Sequence, residues 1–437
     1  MVGRLWSQNE ALSRKEIEEI QLERLKHIVN YVYEKIPFYR QAFDRINLSP
    51  QDIKSLKDIE KIPFTTKEDL RDNYPYGMFA VPMKDVVRIH ASSGTTGRPT
   101  VVGYTRKDLD TWTELVARMA FMAGAREQDI AQISFGYGLF TGALGLHYGL
   151  EKIGASVVPV SSGNTERQIN LMRDFGSTVL VSTPSYALYM VEVAEEMGVK
   201  RKDIHLRLGL FGAEGSTKEM RNEIERRWGI TATQNYGLSE VIGPGVSGEC
   251  EEKEGMHIAE DHFLVEIIDP ATGRKLDFGE KGELVITTLT KEALPLLRYR
   301  TRDITSLNPE PCRCGRTLIR MSQVEGRSDD MLIIRGVNVF PSQIESVLMN
   351  IKGVGPHYEL VVTKKGYMDE LTVNVELSDG DMLDKYQKLE ELRSLVRYKL
   401  KSVLQIDARV NLVEPRSLAR FEGKARRVKD LRTNKTN

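Results

Sequence analysis

Cysteine is scarce, with three residues in a chain of 437. That count excludes a fold held together by disulfides. Neither sign of charge is in excess, because Lys+Arg and Asp+Glu stand at 62 each and the isoelectric point is near 7.1. The balance gives no electrostatic case for a nucleic-acid partner. No apolar run reaches the roughly 18–20 residues that cross a bilayer. The first twenty residues, MVGRLWSQNEALSRKEIEEI, are charged and lack the apolar centre of a secretory signal. Low-complexity tracts and internal repeats are also missing. The expectation is a soluble cytoplasmic protein with no membrane and no nucleic-acid partner. Its length exceeds one ordinary core, so two or more domains are expected.

What is present is periodicity. Ile17, Ile20, Leu22, Leu25, Ile28 and Val32 recur at helical spacing within Ser13–Glu34. Thr66 and Asp69 stand at capping-box spacing before a short helix. From Val86 to about Asn235, β-rich runs alternate with helical stretches. The runs are Val86–His90, Ile130–Phe135, Ala155–Val160, Thr178–Ser182 and Leu206–Phe211. Alternation of this kind predicts a parallel sheet wrapped by helices, with ligands beyond the carboxyl ends of its strands. His257–Asp269 and Glu283–Leu289 read as strands of a small β subdomain. A polar break at Gly326–Asp330 precedes strand runs Met331–Arg335, Glu359–Thr363 and Leu371–Leu377 and helices Pro341–Met349 and Tyr386–Val403. The fold class is therefore α/β, with a large domain over 1–328 and a small mobile α+β domain over 329–437.

The chemistry begins at Ser92-Ser93-Gly94-Thr95-Thr96-Gly97-Arg98, where four hydroxyls, two glycines and one guanidinium share seven residues. Glycine lets backbone N–H groups approach a ligand, and hydroxyls and arginine add donors, so these are the parts of a phosphate cradle. The spacing is not that of a Walker loop. The plain alternative is an ordinary Ser/Thr/Gly surface loop.

The run SSGTTGRPT resembles the phosphate loop of the adenylate-forming enzymes, which include acyl-CoA synthetases, luciferases and peptide-synthetase adenylation domains. The following VVGYT and the short chain resemble most the phenylacetate–CoA ligase branch, as do the phrases IPFYR and IPFTTKEDLR. The family usually has Lys where this chain has Arg98, which keeps the charge and changes its shape. The resemblance implies ATP contacts from Ser92 through Arg98. Further ATP contacts fall on Gly212, Ala213 and Glu214 after the strand ending at Phe211, and on Asn235, Tyr236, Gly237 and Ser239. Glu240 offers a carboxylate oxygen suited to Mg²⁺. Asp303 would hold the ribose diol, although Arg302 stands where the family has Gly. Arg327 would contact the nucleotide, Asp329 would serve as hinge, and Gly336 would let the pantetheine arm of CoA pass. Lys424, in Arg420-Phe421-Glu422-Gly423-Lys424, would stabilise the first half-reaction. Without the resemblance this last segment reads as a solvated basic tail.

Aromatics spaced by glycines in Phe135–Gly142 suit a slot for a planar ring, with core packing at a strand end as the alternative; the resemblance implies Tyr137 and Phe140, with Ala213 and Pro244, as the acyl-pocket residues. Cys250, His257, Cys312 and Cys314 make a Cys₃His set suited to tetrahedral Zn²⁺, with free buried thiols as the alternative. What the resemblance implies in sum is an ATP-dependent aryl acid–CoA ligase acting through an acyl-adenylate, as a homodimer. The alternatives are adenylation of a different acceptor without a thioester, and a non-catalytic nucleotide sensor.

Overall fold

The computed structural model describes residues 5–92, 99–328, 332–335, 337–365, 368–380 and 386–432. Two compact units emerge from the chain. The first comprises Met1–Ser182, Lys202–Ala213 and Thr231–Gln323, and the second Thr183–Arg201, Glu214–Ile230 and Val324–Asn437.

Among the described residues, the first unit holds fourteen strands in chain order. They are β1 Arg88–Ala91, β2 Val101–Tyr104, β3 Ile130–Ile133, β4 Ser156–Val158, β5 Val179–Ser182, β6 Leu208–Phe211, β7 Thr231–Leu238, β8 Gly243–Glu249, β9 Met256–Ile258, β10 Phe263–Ile268, β11 Gly282–Thr288, β12 Tyr299–Thr305, β13 Leu307–Asn308 and β14 Arg320–Met321. Nine form one sheet in the order β13-β14-β9-β8-β7-β6-β5-β3-β4. Its half from β4 to β7 is parallel, as the alternation predicts. The other half is antiparallel. Strand β7 belongs to both: residues 231–234 pair parallel with β6, and residues 235–238 pair antiparallel with β8.

Two expectations change. The run at Val86–His90 is no member of the parallel sheet; it becomes β1, one arm of an antiparallel hairpin with β2. The phosphate-like run therefore falls in sequence between two antiparallel strands and not after a strand of the parallel sheet. The single strand expected at His257–Asp269 divides into β9 and β10, which lie in different sheets. Charge explains the break between them. Glu260 and Asp261 are buried there, and such carboxylates need partners. Arg118 takes Asp261 in a fork of 2.7 and 3.0 Å, and Arg14 takes Glu260 at 2.8 Å.

Helix Arg106–Met122 starts on a capping box of Thr105 and Asp108. Thr66 and Asp69 form the second expected box. Asp108 also accepts from the backbone N–H groups of Glu292 and Ala293, at 2.7 and 2.9 Å. Lys291 lies beside it, with Nζ 3.8 Å from the carboxylate and 3.3 Å from the centre of the Tyr104 ring.

In the second unit, strands Arg409–Val413, Met368–Leu377, Val354–Lys365 and Val428–Asp430 form a sheet in that order. Leu371, Val373, Val375 and Leu377 alternate into its core, as a strand period of two requires. Leu392, Val396, Leu400 and Leu404 bury one stripe of helix Tyr386–Leu404 in the same core. The edge strands Arg409–Val413 and Val428–Asp430 are five and three residues long, too short to stand out in the sequence.

Two substitutions test this packing. Burial pushes the Lys291 amine down from 10.5 to about 8. The unfolded chain therefore holds that proton more firmly, and stability rises with pH across this window. Lys291→Met should stabilise the protein at pH 7 by up to about 3 kcal/mol in urea unfolding. The gap to wild type should close as the pH approaches 10, and a gap that ignores pH would refute the account. At the switch in β7, a Cβ on Gly237 would lie 1.9 Å from the Gly243 carbonyl oxygen. Gly237→Ala must move backbone, and it should cost about 2–3 kcal/mol or more by the same measurement.

Candidate active site

The candidate residues divide between the two units. In the first, the carboxyl end of β6 meets the switch in β7. A Cβ on Gly212 would lie 2.5 Å from Asn235 Oδ1, so this position must stay bare. Asn235 reaches back across the strand end and donates to the Phe211 carbonyl at 2.9 Å. Ala213 follows with φ at 69°, a left-handed conformation that L-residues resist and that clusters at functional sites.

Tyr236 donates its hydroxyl to Asp303 Oδ2 at 2.6 Å, which joins two sequence candidates from β7 and β12. Arg302, standing where the resembling family has Gly, is held at φ 68°. Glycine suits that conformation without strain; Arg302 keeps it with a backbone bond to Glu283 at 3.1 Å.

Glu240 is 5% exposed. It accepts from Thr100 Oγ1 at 3.1 Å and lies 3.3 Å from the Lys67 amine. The Thr100 hydroxyl also bonds to that of Ser92, and Thr100 N donates to Ser92 Oγ at 3.3 Å. Ser92 and Thr100 thereby close the base of the phosphate-like segment and tie it to Glu240. Ser93, Gly94, Thr95, Thr96, Gly97 and Arg98 lie outside the described residues, as do Asp329 and Gly336. Sequence reasoning missed Lys67 and Thr100. Lys67 sits in the stretch TTKEDL, which drew notice for its helix cap and its likeness to the family but not for charge, although a lysine on the first turn of a capped helix is a usable cation.

Of the acyl-pocket candidates, Tyr137 donates to or accepts from His147 Nδ1 at 2.9 Å, and His147 Nε2 lies 3.0 Å from Glu151. Burial raises the Tyr137 phenol above its ordinary value. His147 was not foreseen; it lies one helical turn before Glu151 on helix Gly142–Ile153. Phe140 is 53% exposed. The carbonyl of Pro244 accepts from the Trp112 indole at 2.9 Å, and Ser239 is 3.1 Å from the Thr141 hydroxyl. His90, at the start of the phosphate-like run, is buried and held below its ordinary pKa by desolvation. Its Nδ1 lies 2.9 Å from the Leu139 carbonyl, so this ring is a neutral packing element.

In the second unit, Glu214 engages both of its carboxylate oxygens. One oxygen accepts from Ser185 N at 2.7 Å, at the start of helix Pro184–Glu196. The other accepts from Ala425 N at 2.8 Å. Thr183 Oγ1 donates to the Gly423 carbonyl at 3.1 Å. These bonds bracket Lys424, whose side chain is exposed. Arg427 anchors the same segment on Glu345 at 3.1 Å and on Ser185 Oγ at 2.9 Å. Arg327 lies in a two-residue strand with Gly326.

The family model described as AMP-binding enzyme matches residues 18–290. The AMP-binding enzyme C-terminal domain matches residues 336–432. A phenylacetate-coenzyme A ligase of Aromatoleum evansii is 51% identical over 426 residues, covering 97% of this chain and 96% of its own. The phenylacetate-coenzyme A ligase of Escherichia coli is 51% identical, with 97% of each chain covered. Among solved structures, 2-hydroxyisobutyryl-CoA ligase in the postadenylation state with 2-HIB-AMP gives a TM-score of 0.92 at 30% identity, covering 97% of this chain and 91% of that one. The same enzyme in the thioesterification state with 2-HIB-AMP and CoA gives 0.72 at 31% identity, covering 98% and 92%. With both models matched in order, and relatives at half identity over nearly the whole chain, the chain belongs to the AMP-binding family of adenylate-forming enzymes.

Proposed function

We propose that this protein joins phenylacetate to CoA at the expense of ATP, releasing AMP and diphosphate. The observation that carries the reading is the identity of about half the residues, over 97% of both chains, with the phenylacetate-coenzyme A ligase of Escherichia coli. The site residues support it. In the first step a carboxylate oxygen of the acid attacks the α-phosphorus of ATP, and diphosphate leaves. Positioning and charge neutralisation dominate such chemistry. Asp303, held by Tyr236, accepts from the ribose hydroxyls. The base lies flat beside the turn of Gly212, Ala213 and Asn235. The hydroxyl-rich segment after Ser92 cradles the phosphates, with Lys67 adding positive charge at its base. Glu240 offers the buried carboxylate oxygen that Mg²⁺ takes, and the ion bound there would neutralise phosphate charge. Lys424 is directed at the charge that grows between acid and phosphate.

In the second step the CoA thiolate attacks the acyl carbon and AMP leaves. Lys424 has no part in this step, and the C-terminal segment turns about Asp329 between the two. A relative of this chain has been seen in both a postadenylation and a thioesterification state, which supports a two-state cycle. Tyr137, Phe140, Ala213 and Pro244 form the wall for the aryl ring. The reading includes a cytoplasmic homodimer; a monomer mass in light scattering would remove the dimer from it.

Hydroxamate trapping with ATP, Mg²⁺ and a panel of carboxylates tests the first step. Phenylacetate should give the highest rate. Lys424→Ala should lower that rate about a hundredfold to a thousandfold, the scale of losing one group aimed at transition-state charge. The same variant, given synthetic phenylacetyl-adenylate and CoA, should still form thioester. No hydroxamate from any acid would sink the ligase reading, and AMP release indifferent to CoA would point to a different acceptor.

A further inference from the structure

Away from the nucleotide residues, four side chains converge at the antiparallel end of the large sheet. Cys250 follows the last residue of β8, His257 lies in β9, and Cys312 and Cys314 lie in the turn before β14. Their ligand atoms, three sulfurs and one imidazole nitrogen, all lie within 4.8 Å of one another. Cys250 Sγ is 3.8 Å from Cys312 Sγ, and Cys314 Sγ is 3.5 Å from His257 Nε2.

These separations match the edges of a tetrahedron. With Zn–S near 2.3 Å and Zn–N near 2.0–2.1 Å, the sulfur–sulfur edge is about 3.8 Å and the sulfur–nitrogen edge about 3.6 Å. A disulfide would instead draw two sulfurs to about 2.05 Å. Thiols packed merely as small hydrophobes would be satisfied by neighbours such as Met122, which borders this cluster. That packing gives no reason to turn a buried imidazole nitrogen toward them. His257 is 2% exposed, and the nitrogen it turns to the sulfur cluster is Nε2, 3.5 Å from Cys314 Sγ. The backbone is shaped for the same purpose. Cys312 N bonds to the Arg316 carbonyl at 3.1 Å and Gly315 N to the Cys312 carbonyl at 3.0 Å. Gly315 closes this knuckle at φ 90°.

We propose that Cys250, His257, Cys312 and Cys314 bind one structural Zn²⁺. Four protein ligands fill the coordination sphere and leave no position for substrate. Each thiol yields its proton to solvent as the metal binds. The ion ties the turn before β14 to β8 and β9. Its effect extends to the start of the chain, because the two residues after the knuckle hold that segment. Arg316 pairs with buried Glu10, and Thr317 donates to the Glu10 carbonyl at 3.1 Å and to the Leu12 carbonyl at 2.6 Å. The proposal is independent of the ligase reading.

Elemental analysis of untagged protein, purified without added metal or chelator, tests it. About one zinc per chain is expected, and less than about a tenth of an equivalent, or iron in its place, overturns the proposal. Cys314→Ser and His257→Ala should lose the zinc, and retention of a full equivalent in both would place the metal elsewhere. Should these variants fail to fold, wild-type protein still decides the matter. Stripping it with a chelator and reloading it with Co²⁺ should give the strong visible bands of tetrahedral thiolate coordination, and pale octahedral cobalt would refute the site. Chelation should also speed proteolysis in the first dozen residues.

Discussion

One strand that must satisfy two kinds of neighbour governs the rest. Residues 231–234 of β7 continue a parallel ladder begun by β6, and residues 235–238 open an antiparallel ladder with β8. The two hydrogen-bond patterns differ, so the strand cannot stay regular where they meet, and the register slips between Tyr236 and Gly237. The residues at that irregularity are Asn235, Tyr236 and Gly237, followed by Ser239 and Glu240. A sheet that changes direction opens a crevice beyond its strand ends. Here the candidate residues Asn235 and Tyr236 sit where the ladder changes its pattern. The grouping of these proposed nucleotide contacts is therefore a by-product of topology as much as of sequence.

Much of this was legible beforehand, and the gaps have physical causes. The parallel half announced itself because strands buried on both faces are continuous apolar runs, such as Val179–Ser182 and Leu208–Phe211. The antiparallel half did not. Strand β8 reads GPGVSGE, a loop by composition, yet all seven of its residues are buried. Its small residues are filled from outside, by Trp112 against Gly243 and by Met119 against Gly248. No local pattern can reveal a strand whose side chains are supplied by a helix more than a hundred residues away. The pairing of Glu240 with Lys67 and the bond from Ala425 to Glu214 escaped for the same reason. Each residue was visible, but its partner lies far along the chain. Among the candidates, Tyr236 and Asp303 were read separately and prove to be joined, and both carboxylate oxygens of Glu214 accept from backbone N–H groups.

Charge burial organises the flank of the first unit in a comparable way. Arg118 with Asp261, Arg14 with Glu260 and Arg316 with Glu10 link the opening residues, helix Arg106–Met122 and the β subdomain. Removing one member of such a pair strands the other without water, so each link is far more costly to break than its net contribution to stability suggests. The arrangement ties the segment from Glu10 to Arg14 into the folded unit.

The second unit has an internal seam of another character. Helix Pro184–Glu196 meets the C-terminal segments through polar groups: Arg420 and His357 converge on Glu192, Arg427 reaches Ser185, and Arg416 pairs with Glu196. The hydrogen bond from His357 and the charges of Arg420 and Arg227 hold Glu192 below the usual carboxylate range against the opposing pull of burial. Exposure along the seam is graded. Arg416 and Glu196 are 61% and 41% exposed in their side chains, while Arg420 and Glu192 are 14% and 15%. Dissolved ions screen exposed pairs far more than shielded ones. Rising ionic strength would therefore loosen this seam from its rim inward, like a row of fasteners undone in sequence, and the last to yield would be those nearest the segment that carries Lys424.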